Sequence, residues 1–197
     1  DPDRLLDRFA AYTPPVVTAE SSTVTVTEGE SANNIGTWHD LGNDSVTLTA
    51  SVGAVTQYTD GTWSWSLESN DGPDQTQVVV ITATDSDGIS YGIQFQLNVN
   101  NVAPAVSANE SSITVNEGEL ADASGLYDDA GDDDVVLTAS VGSITRESGG
   151  NWSWTFQSTD GVDNSQTVTI TATDSDGAAT STTFHLTVNN LPPTVAA

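Results

Sequence analysis

The chain has 197 residues and a formal net charge of -25, and it contains neither cysteine nor lysine. The missing cysteines exclude disulfides and thiolate metal sites, and the missing lysines exclude Schiff-base chemistry and a P-loop phosphate site. So strong a negative charge repels nucleic acid and anionic membrane surfaces, which leaves metal cations as the expected counterpart.

The first residues stand apart from the rest. Residues 1–13 are predicted to form an N-terminal leader, either a short amphipathic helix or a disordered segment. From residue 14 the sequence repeats with a spacing of 89, so that Pro15 corresponds to Pro104 and Trp63 to Trp152. A fixed period indicates one structural unit used repeatedly. We therefore expect repeat 1 over 14–102, repeat 2 over 103–191, and a linker or the start of a third repeat over 192–197.

Each repeat is predicted to be built from strands, because apolar and polar residues alternate with a period of two. In the sixth strand, for example, Val79, Ile81 and Ala83 share one face. The predicted strands of repeat 1 are A (16–26), B (31–38), C (45–52), D (54–59), E (62–68), F (76–84) and G (89–99). Turn residues separate them, including Gly42-Asn43 and Asp60-Gly61. The pattern predicts an all-β chain of two tandem Ig-like (Greek-key, about seven-stranded) β-sandwich domains.

Three segments carry a resemblance to a known family. They are Asn98-Val99-Asn100-Asn101-Val102-Ala103-Pro104, Val115-Asn116-Glu117-Gly118-Glu119 and Thr171-Ala172-Thr173-Asp174-Ser175-Asp176-Gly177. Together they resemble the tandem Ig-like repeats, PKD-like or cadherin-like, of large bacterial extracellular surface proteins. The Gly-Asp-Gly segment typical of PKD domains is missing, so Ig-like or cadherin-like is the better name. The resemblance implies an extracellular or cell-surface location.

The acidic residues are concentrated in the predicted turns, whereas the outward strand positions hold Thr, Ser and Gln. In an Ig-like topology these turns gather at the two ends of the sandwich. Calcium fits such a set, because it takes 6–8 oxygen ligands in flexible geometry, whereas magnesium prefers tight octahedra and zinc prefers Cys and His. The predicted ligands are Glu28, Glu30, Asp71, Asp74, Asn100, Asn101, Asp128, Asp129, Asp174 and Asp176.

The resemblance to cadherin repeats narrows this prediction, because cadherins place calcium between consecutive domains. It implies Glu28, Asp71, Asn101, Asp128 and either Asp174 or Asp176 as ligands. Two other interpretations stay open. The Asp-x-Asp-Gly segments are also typical of plain polar turns, and an acidic chain without lysine is also typical of adaptation to high salt.

The tryptophans allow two interpretations. Trp63 and Trp65 alternate with serines along strand E, so both indoles lie on one face of the strand, and Trp152 and Trp154 repeat the pattern. They are predicted to be core residues, since the same face continues into Leu67. The alternative is an exposed aromatic platform for sugar rings.

Two functions follow from these patterns. The first is a non-catalytic, calcium-binding structural or adhesive module, a rigid spacer or stalk of a larger secreted or cell-surface protein. The alternative is a carbohydrate-binding accessory module of a modular extracellular enzyme. No catalytic residues are predicted. The expected partners are neighbouring repeats of the same chain, with a surface protein or polysaccharide as the target if the module is adhesive, and with no nucleic acid and no direct membrane insertion.

Overall fold

The computed structural model describes residues 13–41 and 44–194. The predicted leader up to residue 12, the predicted turn at Gly42-Asn43 and the last residues of the predicted third repeat, 195–197, lie outside the described residues. The chain divides into two compact units, and the division falls between Asn101 and Val102. We refer to them as unit 1 and unit 2.

Unit 1 is built from two four-stranded sheets. Its strands are β1 (Val16–Ala19), β2 (Thr23–Thr27), β3 (Ser31–His39), β4 (Thr47–Ala50), β5 (Ala54–Gln57), β6 (Thr62–Glu68), β7 (Gln77–Thr84) and β8 (Ser90–Asn100). One sheet has the order β1-β3-β6-β5 and the other β2-β8-β7-β4. The core lies between the two sheets.

Unit 2 repeats this plan. Its strands are β9 (Ala105–Ala108), β10 (Ser112–Asn116), β11 (Leu120–Asp128), β12 (Val136–Ala139), β13 (Ser143–Arg146), β14 (Asn151–Gln157), β15 (Gln166–Thr173) and β16 (Ala179–Asn189). The sheet orders are β9-β11-β14-β13 and β10-β16-β15-β12. Each strand begins and ends 89 residues after its counterpart in unit 1. The described residues of unit 2 also include a short 3-10 helix, η1 (Val162–Asn164).

The prediction of strand A as a single strand is wrong. It divides into β1, which is antiparallel to β3, and β2, which is parallel to β8 in the opposite sheet. The chain crosses between the sheets near Ser21, where the side chain of the buried Asn34 makes hydrogen bonds to both backbone polar groups of Ser21. Its Nδ2 donates to the Ser21 carbonyl at 2.9 Å, and its Oδ1 accepts the Ser21 N–H at 3.3 Å. The described residues of each unit therefore form eight strands, and one of the strand pairs is parallel.

The tryptophan pairs lie in the cores, as the core interpretation predicted. Trp63 and Trp65 are each 1% exposed, Trp152 is 1% exposed and Trp154 is 0% exposed. Trp65 packs edge-on against Phe95 with ring centroids 5.0 Å apart, and Trp154 packs in the same way on Phe184 at 5.0 Å.

The indole N–H of each of these four tryptophans also finds a partner. Trp63 Nε1 donates to the Thr18 carbonyl at 3.0 Å, and Trp65 Nε1 donates to the Val52 carbonyl at 2.7 Å. Buried aromatics with satisfied polar tips account for much of the core of each cysteine-free sandwich. The predicted fold class, two tandem Ig-like β-sandwich domains, is confirmed.

Candidate functional site

The acidic loops gather at two ends of each unit, which we name from their loops. The lower pole holds the turn between the second and third strands, the segment between the sixth and seventh strands, and the end of the last strand. In unit 1 this pole comprises residues 28–30, 69–75 and 100–101, and in unit 2 residues 117–119, 158–164 and 189–191. The upper pole holds the segments that follow the third and seventh strands. In unit 2 it comprises residues 129–135 and 174–178.

Backbone hydrogen bonds tie the three segments of the lower pole of unit 1 together. The Glu28 N–H donates to the Asn100 carbonyl at 3.0 Å, and the Gly29 N–H donates to the Ser69 carbonyl at 2.6 Å. The buried Ser69 hydroxyl donates to the carbonyls of Thr27 and Glu30 at 3.0 and 2.6 Å. Within unit 1, these bonds confirm the predicted grouping of the loops.

Glu28 is the most buried acidic residue of this pole, with 2% of its surface exposed. Its Oε2 accepts the N–H of Gly72 at 2.8 Å. The counterpart in unit 2, Glu117, accepts the N–H of Gly161 at 2.8 Å through Oε2 and the N–H of Leu191 at 2.9 Å through Oε1. A carboxylate oxygen has more than one acceptor position, so these bonds leave room for a cation.

Glycine is required where the lower-pole segments approach one another. A Cβ at Gly72 would lie 2.7 Å from the carbonyl carbon of Asn100, and a Cβ at Gly161 would lie 2.6 Å from the Cα of Asn190. The segment that carries Asp71 and Asp74 therefore packs directly on the chain leaving β8. Asp71 is half-buried, whereas Asp74 and Asn100 are exposed.

Glu30 closes the turn after β2. Its Oε2 accepts the Thr27 N–H at 3.0 Å, and this bond lowers the pKa of the Glu30 carboxyl below its ordinary value. Glu119 closes the corresponding turn in unit 2, where its Oε2 accepts the Asn116 N–H at 2.8 Å. These exposed carboxylates have a turn-closing role that is independent of any metal.

The upper pole of unit 2 contains the Asp174-Ser175-Asp176-Gly177 turn. Asp174 is 5% exposed, and its Oδ1 accepts the Ala178 N–H at 2.7 Å. The Ser175 hydroxyl donates to Asp133 in the segment after β11. Asp176 is exposed. Asp128 is the last residue of β11 and is exposed, and Asp129, the next residue, is half-buried.

The upper pole of unit 1 is built in the same way. Asp85 is 6% exposed, and its Oδ1 accepts the N–H groups of Asp87 at 3.0 Å and Ile89 at 2.8 Å. The Ser86 hydroxyl donates to Asp44 at 2.9 Å. The first aspartate of each Asp-Ser-Asp-Gly segment therefore shapes the turn, as the polar-turn interpretation holds. The second aspartate, Asp87 in unit 1 and Asp176 in unit 2, is exposed.

Sequence reasoning did not select Asp44 and Asp133 as ligands, although both lie at an upper pole. The sequence did contain a signal for these two residues. Asp44 and Asp133 are separated by the repeat spacing of 89, and so are Ser86 and Ser175, the serines that bond to them. Within unit 1, the structure brings together the predicted residues Glu28, Glu30, Asp71, Asp74, Asn100 and Asn101. Within unit 2, the Ser175–Asp133 hydrogen bond joins the turn of Asp174 and Asp176 to the segment that carries Asp129, and Asp128 ends β11 just before that segment. Their role as ligands stays a prediction.

The burial of the four core indoles removes the basis of the sugar-platform interpretation. An aromatic platform needs solvent-facing rings, and Trp63, Trp65, Trp152 and Trp154 are enclosed between the sheets. Trp38, the remaining tryptophan, is half-buried and packs against the unit 1 core. The carbohydrate-binding alternative is therefore not favoured.

Comparison with known proteins supports the fold. No protein-family model matches the sequence, and neither does any curated protein. Among solved structures, the titin domains z1z2 in complex with telethonin match with a TM-score of 0.53 and 17% identity, over 91% of this chain and 98% of that chain. Domains A168-A170 from titin match with a TM-score of 0.55 and 14% identity, over 90% of this chain and 67% of that chain. At these identities the likeness shows the fold alone.

Among the described residues, none belongs to a helix with the length and apolar character needed to cross a membrane. The chain is similar to tandem Ig-domain structures, and its two units are Ig-like β-sandwiches arranged in tandem along the sequence.

Proposed function

We propose that the chain is a non-catalytic structural or adhesive repeat module, a rigid spacer or stalk of a larger secreted or cell-surface protein. In this proposal calcium binds at the junction of successive repeats. The partners are neighbouring repeats of the same chain, and a surface protein or polysaccharide is the target if the module is adhesive.

One observation carries the proposal: within each unit, the predicted ligands lie at the poles, where strands end. The inner strand faces are occupied by the core, and the outer face of β15 presents Thr167, Thr169 and Thr171 rather than acids. The lower pole of unit 1 is also the place where β8 ends and the chain continues to unit 2. Carboxylates at a chain exit are suited to a site that the following repeat completes.

The chemistry of the poles favours calcium over other ions. The side chains supply only oxygen, and several of them already accept backbone N–H groups, which fixes their positions before an ion binds. Calcium accepts such irregular sets of carboxylate, amide and carbonyl oxygens. If a site has a dissociation constant of roughly 0.1 mM, about 10 mM free calcium adds some 2.7 kcal/mol of stability. That is a large share of a small domain's total.

The test is a calcium titration of the whole chain by calorimetry, together with thermal unfolding in millimolar calcium and in excess chelator. We expect heat of binding and a melting temperature several degrees higher with calcium. Asp71→Asn and Asp176→Asn should each reduce both effects, because each removes a charged ligand from a pole.

Asp122→Asn is the matched control, since Asp122 is an exposed aspartate in the middle of β11. It should leave the calcium response unchanged. Identical melting curves with chelator and with calcium, combined with no heat of binding, would rule the calcium proposal out. An equal response to Asp71→Asn, Asp176→Asn and Asp122→Asn would indicate general screening of charge instead of a site.

A further inference from the structure

Glu117 makes hydrogen bonds to three residues in two distant segments of unit 2. Its own N–H donates to the carbonyl of Asn189, the last residue of β16, at 2.9 Å. Its carboxylate accepts the Gly161 N–H at 2.8 Å through Oε2 and the Leu191 N–H at 2.9 Å through Oε1. One glutamate in the turn after β10 thus contacts the chain on both sides of Asn190.

Leu191 lies beyond the sheet. The parallel pairing of β10 with β16 ends at Asn116 and Asn189, so no ladder bond reaches the Leu191 amide. The Glu117 carboxylate supplies the acceptor that the sheet no longer provides. Asn190, between the two bonded residues, packs on Gly161, where a Cβ would lie 2.6 Å from the Asn190 Cα. The order of the unit therefore continues two residues past its last strand.

The next residues are Pro192 and Pro193. A proline restricts the residue before it to extended conformations and holds its own φ near −65°. Consecutive prolines act as a semi-rigid spacer. Because Leu191 is held by a hydrogen bond and is followed by two prolines, the chain leaves unit 2 in a defined direction. Without that hydrogen bond, the backbone at Leu191 could rotate and the direction would vary.

We propose that Glu117 is a positioning residue for the linker: its carboxylate fixes the first residues after β16 and so sets the direction in which the chain leaves unit 2, without a metal ion. A glutamate is needed because only a carboxylate presents two acceptor oxygens, whereas glutamine presents one acceptor and one donor. Hydrogen bonds to an ionised acceptor are also the stronger kind. Glu28 repeats part of this arrangement in unit 1, with the Gly72 N–H.

The test is amide hydrogen exchange of the whole chain, followed residue by residue by NMR in excess chelator. In the unmodified chain we expect the Leu191 and Gly161 amides to be protected although Leu191 lies outside every strand. In Glu117→Gln, the amide that faces the new NH2 group should exchange on the order of ten- to a hundredfold faster, because hydrogen bonds to charged groups are the costly ones to lose.

Glu119→Gln is the matched control. Glu119 lies in the same turn but its Oε2 accepts the N–H of Asn116. This variant should leave exchange at Leu191 and Gly161 within about twofold, whereas a general loosening of the pole would accelerate both amides in both variants. Unchanged tryptophan fluorescence in Glu117→Gln would show that the core of unit 2 is intact.

Three results would overturn the inference: an unprotected Leu191 amide in the unmodified chain, unchanged exchange in Glu117→Gln, or Leu191 protection that appears only with calcium. The first needs no variant, so the inference stays testable if Glu117→Gln does not fold. Protection only with calcium would support the proposed function while removing the metal-independent role. Protection in chelator together with no thermal response to calcium would support the role of Glu117 and remove the calcium site.

Discussion

The strands of unit 1 and unit 2 begin and end at equivalent positions, but the short edge strands β5 and β13 are held by different contacts. In unit 1, Gln57 at the end of β5 bonds to the backbone beside β4, donating to the Val46 carbonyl at 3.0 Å and accepting the Leu48 N–H at 3.2 Å. In unit 2 the corresponding residue is Arg146. It donates to the Tyr127 hydroxyl at 3.1 Å and forms a 2.8 Å ion pair with Asp134.

A second difference lies in the hairpin before the tryptophan strand. In unit 1, Asp60 accepts the Thr62 hydroxyl at 2.6 Å and the Thr62 N–H at 3.0 Å. In unit 2 the corresponding position is Gly149, and Asn151 donates to its carbonyl at 3.2 Å. The backbone differs as well, since Gly149 has a φ of 72° whereas Asp60 does not have a positive φ, and the charge that supports the turn is present in one unit only.

The comparison separates two kinds of position. Where a residue touches the backbone of a crossing segment, as Gly36 and Trp63 do in unit 1 and Gly125 and Trp152 do in unit 2, both units carry the same residue type. Where a residue holds an exposed edge strand, the two units carry different residues that make different contacts. Substitutions should therefore have equal effects at the first kind of position and unequal effects at the second.

The largest effect is expected for Gly36→Ala and Gly125→Ala. A Cβ at Gly36 would lie 2.6 Å from Cε2 of Trp63 and would also clash with the Thr18 carbonyl oxygen. A Cβ at Gly125 would lie 2.5 Å from Cε2 of Trp152 and would clash with the Ser107 carbonyl oxygen. Overpacking of this kind costs about 1–3 kcal/mol, and each variant should destabilise its own unit by a similar amount. Urea unfolding followed by tryptophan fluorescence measures the loss.

Gly92→Ala is the control for glycine replacement, because a Cβ there would lie 3.5 Å from Thr82 Oγ1, an ordinary contact. It should change stability by less than about 0.5 kcal/mol. A large loss for Gly36→Ala with none for Gly125→Ala would break the equivalence of the two cores.

A smaller effect is expected at the edge strands. Arg146→Gln removes an exposed ion pair and a cation–π contact in which the guanidinium lies 5.3 Å from the Tyr127 ring centroid. The expected loss is about 0.5–1 kcal/mol. Because the ion pair is exposed, the loss should shrink in high salt.

Gln57→Ala in unit 1 serves as the comparison. It removes two neutral hydrogen bonds to backbone and should cost about 1 kcal/mol regardless of salt. Denaturation of both variants at low and high ionic strength shows which loss of stability depends on salt, and so distinguishes the ion pair in unit 2 from the neutral hydrogen bonds in unit 1. An equal salt response in the two units would contradict the structural difference.

The smallest effect is expected at low pH, in the hairpin turn that contains Asp60. The Thr62 hydroxyl and N–H, which bond to Asp60, hold the pKa of its carboxyl below the ordinary 3.8. Since the folded-state pKa is lowered, the contribution of these bonds is present above pH 3.8 and is lost as the pH falls through the lower, folded-state pKa. Carboxyl titration by NMR should therefore give a midpoint below 3.8 for Asp60, with the Thr62 amide shift following it.

The amide of Asn151, the counterpart of Thr62, should show no such titration, because Gly149 replaces the aspartate. A shared acid transition at Thr62 and Asn151 would point to unfolding of both units instead of a local change. Thr62 shifts without an Asp60 midpoint below the ordinary value would contradict the hydrogen-bond assignment.

Several structural features could be predicted from local pattern. The two-residue alternation places Val79, Ile81 and Ala83 inside, and all three are 0% exposed. The same argument correctly places Trp63 and Trp65 in the core. The grouping of acidic turns at the ends of each unit followed from the strand count and the Ig-like topology, and the loop hydrogen bonds confirm it within each unit.

Other features could not be predicted, because they depend on which segments meet. The apolar positions of residues 16–27 shift by one residue at the crossing, from Val17 and Ala19 to Val24 and Val26, with the polar residues 20–23 between them. This shift marks a break in the strand, but it does not say that the second part pairs with β8 in the other sheet. The role of Glu117 depends on Gly161 and Leu191, which lie far from it in sequence. A carboxylate in a turn has the same local sequence whether it closes that turn, as Glu119 does, or holds a distant segment.

The sequence by itself determined the repeat, most of the strands, the inward faces and the concentration of acidic residues in the turns. These are consequences of the two-residue period of a strand and of where polar backbone reaches water. Only the tertiary structure decided the parallel pairing of β2 with β8 and of β10 with β16, and the separate duties of the acidic side chains. Those depend on hydrogen bonds between segments distant in the chain, such as the 2.8 Å bond from Gly161 to Glu117.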